Sequence, residues 1–255
     1  PGVLLQGNNL WVPNLGDSGD NMIYRNLANN LGIELGGWSY GAQFGDFNND
    51  GHLDLYVANG YVSGKKRSSD YWYDYSKVAV GNQTIIADTK NWPKMNGKSL
   101  SGYQRNKIWV NDGSGRFQEV GEAVGGREVY DSRAVAIADL WNTGAQDIVV
   151  ANQEGPVLLY KNTVDPQNKW IGFKLTGTKS NRSAIDAKID LYWNNQHQLQ
   201  MVNGGSGFCS ENQRRIYFGL GKHPVIKKAV IYWPSGLVQT LHSLKADSLY
   251  HIQED

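Results

Sequence analysis

Apolar and polar residues alternate with period two through the last third of the chain: Ile171, Phe173 and Leu175, then Ile189 and Leu191, then Ile216 and Phe218. Successive side chains of a strand point to opposite faces, so this pattern predicts short strands that each turn one face to a core. Asn194-Asn195, Gly204-Gly205 and Pro234-Ser235-Gly236 separate them, which predicts a sandwich of short antiparallel strands. Leu53, Leu55 and Val57 carry the same alternation nearer the N-terminus.

The first two-thirds are organised by repetition. A pair of apolar residues closed by Asn recurs as Ile23-Tyr24-Arg25-Asn26, Ile108-Trp109-Val110-Asn111 and Leu159-Tyr160-Lys161-Asn162. The last two Asn are 51 residues apart and the first two 85 apart. Reading residues 61–101 as an insertion of roughly 40 residues restores a spacing near 45, a period that suits four-stranded propeller blades. Between the markers, Phe44 to Asn59 and Ala136 to Asn152 both read as strand, polar Gly-containing turn, strand. Asp112-Gly113, followed by Gly115 and Phe117, predicts a hairpin, because Gly tolerates positive φ. Two or three such units cannot close a propeller of four to eight blades. The expectation is therefore a partial propeller that other blades or another chain complete.

Composition sharpens the class. Thirty Gly, nine Trp and fourteen Tyr, with few helix-forming runs, favour an all-β protein. Lys plus Arg number 25 against 24 for Asp plus Glu, with no long basic run, so general nucleic-acid binding is not expected. No apolar stretch reaches the ~18 to 20 residues of a membrane span. The opening Pro1-Gly2-Val3-Leu4-Leu5 lacks an initiator Met and the form of a signal peptide, which predicts a mature or trimmed chain. The single Cys209 excludes an internal disulfide and reads as a small apolar residue buried in a strand.

One turn carries candidate metal chemistry. Asp46, Asn48, Asp50 and Asp54 stand at positions 1, 3, 5 and 9 of an Asp-x-Asn-x-Asp-Gly-x-x-Asp loop, with Gly51 at position 6. Alternate oxygen-bearing side chains on a tight turn converge on one centre, and the carbonyl of His52 at position 7 adds another oxygen. An all-oxygen set of this size suits Ca²⁺ rather than zinc or Mg²⁺. Position 12 is Val57, not the Glu of an EF-hand, and the flanks alternate as strands. A second, depleted copy offers Asp139, Thr143, the carbonyl of Ala145 and Asp147, with Trp141 at position 3, and is the weaker metal candidate.

The string Phe44-Gly45-Asp46-Phe47-Asn48-Asn49-Asp50-Gly51-His52-Leu53-Asp54-Leu55-Tyr56-Val57-Ala58-Asn59-Gly60 resembles an FG-GAP (VCBS) propeller repeat. Ser180-Asn181-Arg182-Ser183-Ala184-Ile185-Asp186-Ala187, Tyr217-Phe218-Gly219-Leu220-Gly221 and Trp233-Pro234-Ser235-Gly236 with Gln239 resemble an ASPIC/UnbV domain. The combination resembles that of bacterial homologues of cartilage acidic protein. It departs from the pattern at Asp186, where the family often has Gly, at Cys209, and in the depleted second loop. The resemblance implies propeller blades over 1–165 with the insertion at about 61–101, and an ASPIC/UnbV β domain over 166–255. It also implies a secreted or periplasmic, Ca²⁺-stabilised protein and no particular reaction. Full family members carry more blades, which implies a C-terminal fragment or a chain that docks against another.

No Gly-x-Ser-x-Gly elbow, phosphate loop or paired-His zinc pattern is present, so catalysis is not the leading expectation. The insertion instead concentrates candidate partner-binding aromatics, Tyr71, Trp72, Tyr73, Tyr75 and Trp92, of the kind favoured at interfaces and able to stack on sugars. The expected function is an interaction or structural module. Its alternatives are a hydrolase or isomerase with a site in the propeller channel, and a glycan-binding module.

Overall fold

The computed structural model describes residues 7–14, 23–80 and 83–255; the chain start lies outside them. The protein is mostly β, built from several antiparallel sheets, and the described strands form no closed propeller. Strand β1 (Trp11–Pro13) pairs with β2 (Tyr24–Asn26), and helix α1 (Ala28–Leu31) follows. A four-stranded sheet has the order β3 (Ser39–Gly45), β4 (Asp54–Asn59), β7 (Lys107–Asn111), β8 (Phe117–Glu119). A three-stranded sheet is formed by β9 (Ser132–Ala138), β10 (Asp147–Asn152) and β11 (Leu158–Tyr160). One core lies between these two sheets, with Tyr56, Ala58, Val135, Ile137, Ile148 and Val150 buried in it. A smaller one, around Leu55, Val57 and Trp109, is covered by Ala28 and Ile33.

Residues 60–106 separate β4 from β7, which nevertheless pair directly, Leu55 with Trp109. The excursion is closed at its neck, where Tyr61 N–H donates to Ser101 O at 2.9 Å and Val62 N–H to Leu100 O at 3.0 Å. It holds β5 (Lys66–Asp70), α2 (Tyr71–Ala79), α3 (Gln83–Ala87) and β6 (Lys98–Ser99). The helices are a minor part of a fold that is mostly β, as expected. Asp70 caps α2 by accepting the Trp72 N–H at 3.0 Å, and local capping outweighs the strand preference of a Tyr/Trp-rich segment. No helix among the described residues is long and apolar enough to cross a membrane.

The C-terminal unit is a sandwich of two sheets. One has the order β15 (Ile216–Gly221), β12 (Lys169–Thr176), β18 (Ser248–Gln253). The other has the order β14 (Gln196–Met201), β13 (Lys188–Trp193), β16 (Ile226–Tyr232), β17 (Val238–Leu241). Ile171, Phe173, Ile189, Leu191, Phe218 and Ile231 meet in its core, each fully buried, and each such side chain contributes about 1.5–3 kcal/mol. One pairing corrects the antiparallel expectation: the last strand, β18, lies parallel to β12, the first strand of the unit. Cys209 is exposed, on a loop between β14 and β15 at φ 50°, rather than buried in a strand; the Gly-rich run before it carries the chain out of the sheet.

Candidate functional site

Gly45 and Asp54 face each other across the β3–β4 pair, so residues 46–53 form the turn that closes it. Its polar side chains fold back on the turn. Asp46 accepts the Asp50 N–H at 3.1 Å on Oδ1 and the Gly51 N–H at 2.8 Å on Oδ2. Asp50 accepts from the His52 N–H at 2.8 Å and from Asn48 Nδ2 at 2.9 Å. Asp54 accepts the Phe47 N–H and the Asn111 N–H, both at 2.9 Å, and so ties the turn to β7. Asn49 and Gly51 take the left-handed backbone conformation, φ 57° and 96°, that so tight a turn requires.

The second turn repeats this scheme. Asp139 accepts from Thr143 N–H at 2.9 Å and Gly144 N–H at 2.8 Å, and Asp147 from Leu140 N–H at 2.9 Å and Asn162 N–H at 2.8 Å. Asn142 and Gly144 have φ 55° and 81°. The Asn that follows each of these turns is thus structural, since the backbone N–H of Asn111 or Asn162 holds the position 9 carboxylate. Thr143 accepts only a long bond from the Ala145 N–H, at 3.4 Å, and Trp141 is exposed with the Lys161 ammonium over its ring.

Asp46 is 4% exposed and Asp54 fully buried. Burial, with repulsion from Asp50 and Asp54, pushes the Asp46 carboxyl up to about 7; burial, with Asp50, pushes Asp54 up to about 6. Two N–H donors apiece do not offset the loss of water. Among the described residues no three His, Cys, Asp or Glu side chains are gathered as a ready-made metal cage, because these carboxylates are turned onto the loop's own N–H groups. The donor set is nonetheless all oxygen, and each bonded carboxylate oxygen keeps a second lone pair, so its chemistry fits a hard cation.

The first turn also joins the two β units. The Gly221 N–H donates to Asn49 O at 2.9 Å, and Asn168 Nδ2 donates to Asn48 O at 2.8 Å. Asn162 Nδ2 donates to Phe47 O at 2.7 Å and Asn49 Nδ2 to Gly144 O at 3.2 Å. Strand β15 passes so close that a Cβ on Gly219 would stand 1.9 Å from Asp46 Oδ2 and 2.6 Å from Asn49 Cα. The sequence pattern did not reveal this seat. Its one signal was the isolated Gly219 inside a strand, a mark of close backbone approach.

The insertion's aromatics divide. Tyr71 is buried and donates to Pro93 O at 2.7 Å; Trp72 donates to Ser101 Oγ at 2.6 Å and lies among Trp38 and Tyr75, ring centroids 5.4 and 5.5 Å away. Tyr75 meets Trp92 edge-on at 5.3 Å. Tyr73 and Trp92 are the exposed members, Tyr73 with the Lys77 ammonium 4.1 Å from its ring centre.

Residues 177–255 match the sequence profile of the family described as ASPIC and UnbV. The C-terminal unit is an ASPIC/UnbV domain. Its sandwich core also draws on Ile171 and Phe173 of β12, ahead of the matched residues. The chain is also distantly similar to Cartilage acidic protein 1 of Xenopus tropicalis, 24% identical over 260 residues. That match covers 88% of this chain and 39% of the relative, so the chain spans about two-fifths of the relative's length.

Proposed function

We propose that the chain is an extracytoplasmic, Ca²⁺-stabilised interaction or structural module, with blades of the FG-GAP/VCBS type leading into the ASPIC/UnbV domain. Asp46, Asn48, Asp50, Asp54 and the His52 carbonyl hold the cation. The observation that carries this reading is the pair of buried, under-compensated carboxylates, Asp46 and Asp54, with Asp50 beside them in an oxygen-only turn. A bound cation keeps both ionised and removes their mutual repulsion. Because the same turn touches β15 and β7, Ca²⁺ there stiffens the joint between the units. The second turn, with Asp139, Thr143, Ala145 and Asp147, keeps its shape by hydrogen bonds without needing a metal.

The module works within a larger assembly. On the face of the three-stranded sheet away from the core, Ala136, Val149 and Leu159 align across β9, β10 and β11, and Leu159 is 52% exposed. That apolar row fits the packing face of a further blade, from this protein or another. Tyr73 and Trp92 on the insertion supply the second contact face.

Thermal unfolding in excess Ca²⁺ and in EGTA tests the reading. At a hundredfold excess over Kd the cation adds about 2.7 kcal/mol, a rise in Tm of roughly 5–10 °C for a domain of this size. Asp50→Ser removes the rise without unfolding the protein. Equal Tm in both media, with no Ca²⁺ retained by the desalted protein on elemental analysis, would falsify the cation site.

A further inference from the structure

A cleft of about 130 Å³ lies between the first β unit and the ASPIC/UnbV domain, walled by the end of β9 on one side and by residues 212–217 on the other. Its polar groups sort by what they have already bonded. Gln146 Oε1 accepts the Asp46 N–H and Gln213 Oε1 accepts the Asp139 N–H, both at 3.0 Å. Those bonds fix which end of each amide is oxygen, and both Nε2 groups remain without a partner among the described residues. Arg215 gives Nη1 to Asn142 Oδ1 and, at 3.4 Å, to the Tyr217 hydroxyl, leaving Nε and Nη2 unengaged and the guanidinium unpaired with any described carboxylate. Asp139, the acid of the wall, is engaged by two backbone donors, the Thr143 N–H and the Gly144 N–H. The neighbouring Arg214 is taken up by Glu211 and Ser183, both at 2.7 Å.

The remaining capacity is thus a cationic fork and the amide donors of Gln146, Gln213 and the exposed Asn203 at the rim, with Gln200 Oε1 and the Asn203 amide oxygen as free acceptors among the described residues. We propose that this cleft binds a carboxylate-bearing ligand, its carboxylate held by Arg215 and by the amide nitrogens of Gln146 and Gln213. A guanidinium offers parallel N–H donors that match the two oxygens of a carboxylate. A cation left partly desolvated and unpaired is costly, so the site gains from an anion. The volume equals about four waters at ~30 Å³ each, which admits a carboxylate and its adjoining carbons while the rest of the ligand stays outside. Asp139 in the same wall selects a monoanion over a dianion such as sulfate. The three binding groups are not among the loop's cation ligands, although Gln146 and Gln213 are anchored on the N–H groups of Asp46 and Asp139, so the titration is run both in Ca²⁺ and in EGTA, and binding in either medium supports the site.

The test is a titration with D-glucuronate and, separately, D-glucuronamide at constant ionic strength, followed by the side-chain amide resonances of Gln146 and Gln213 in ¹H–¹⁵N spectra. The acid produces saturable shifts at both residues and the amide at least tenfold weaker ones. Arg215→Met weakens the acid at least tenfold. Gln213→Glu, which keeps the acceptor for the Asp139 N–H but replaces the donor with a charged oxygen, weakens it likewise. Equal binding of acid and amide, unchanged binding by folded Arg215→Met, or no saturable shift up to tens of millimolar overturns the proposal. Should Arg215→Met fail to fold, the acid and amide titrations of the unsubstituted protein decide the matter.

Discussion

The protein buries carboxylates at both ends of its fold and treats them in opposite ways. Glu254, just past β18, is 2% exposed, as deeply set as Asp46 in the first turn. Burial alone pushes its carboxyl up, yet the hydroxyl of Ser235, the N–H groups of Ser180 and Thr178 and the hydroxyl of Ser180 outweigh that and pull it down to about 2. The Lys179 N–H donates as well, at 2.8 Å. Asp46 and Asp54 receive two N–H donors each and lie beside Asp50, and both rise. Donor number separates the two cases. The Glu254 pocket is complete within the protein, whereas the turn leaves its buried carboxylates under-compensated, which is the charge deficit the proposed Ca²⁺ would fill.

The strongest way to break this comparison is to remove the position 9 carboxylate from each turn. Asp147→Ala strands the part-buried N–H groups of Leu140 and Asn162, at about 1–3 kcal/mol each where water is fully excluded, so a loss of about 2–4 kcal/mol is expected in denaturant unfolding. Asp54→Ala strands Phe47 and Asn111 N–H in the same way, but it also relieves repulsion with Asp46 and Asp50. In EGTA it therefore costs less than Asp147→Ala, and in Ca²⁺ it costs more, since the cation's contribution is lost with it. The same order of the two variants in both media contradicts the view that only the first turn needs a cation.

The strands flanking both turns were legible because alternation and turn residues agree there with the final packing: Leu55 and Val57 share one core, while Ile148 and Val150 share the other. Helix α2 was not, because Tyr and Trp favour strands in general, and the signal that governs is a single capping residue, Asp70. The parallel β12–β18 pairing was hidden for a different reason. Alternation fixes which face of a strand is buried but not which strand lies beside it. In the turn, the spacing of Asp46, Asn48, Asp50 and Asp54 marked candidate ligands, but the partners that hold them in place, Asn111 N–H and the backbone at Gly219, come from strands far along the chain.

Glu254→Gln probes the other side of the comparison. The folded carboxyl is depressed below its ordinary 4.5, so its contribution is fully present above that pH and is lost as pH falls toward about 2. Unfolding midpoints of the unsubstituted protein therefore fall across that window, on account of this group. In Glu254→Gln that part of the acid limb flattens, and the neutral-pH stability drops by less than for Asp147→Ala because one oxygen still accepts. An acid limb identical in the two proteins places the acid sensitivity elsewhere than Glu254.

The smallest effect comes from converting the second turn into a copy of the first, with Trp141→Asn and Thr143→Asp together. Trp141 is exposed and its one specific contact among the described residues is the Lys161 ammonium, 4.9 Å from the ring centre. Losing a cation–π pair at such a site costs about 0.5–1 kcal/mol. The new Asp at position 5 adds repulsion toward Asp139 and Asp147, so in EGTA the double variant is destabilised by about 1 kcal/mol. In Ca²⁺ that sign reverses. Backbone, position 1 and position 9 are already in place, with the Ala145 carbonyl at position 7, so the added oxygens complete the donor set and the protein retains two Ca²⁺ where it retained one. If the variant folds but still retains a single Ca²⁺, the turn's hydrogen-bonded frame is not the scaffold that organises the cation. The first turn must then draw its affinity from its seat against β15.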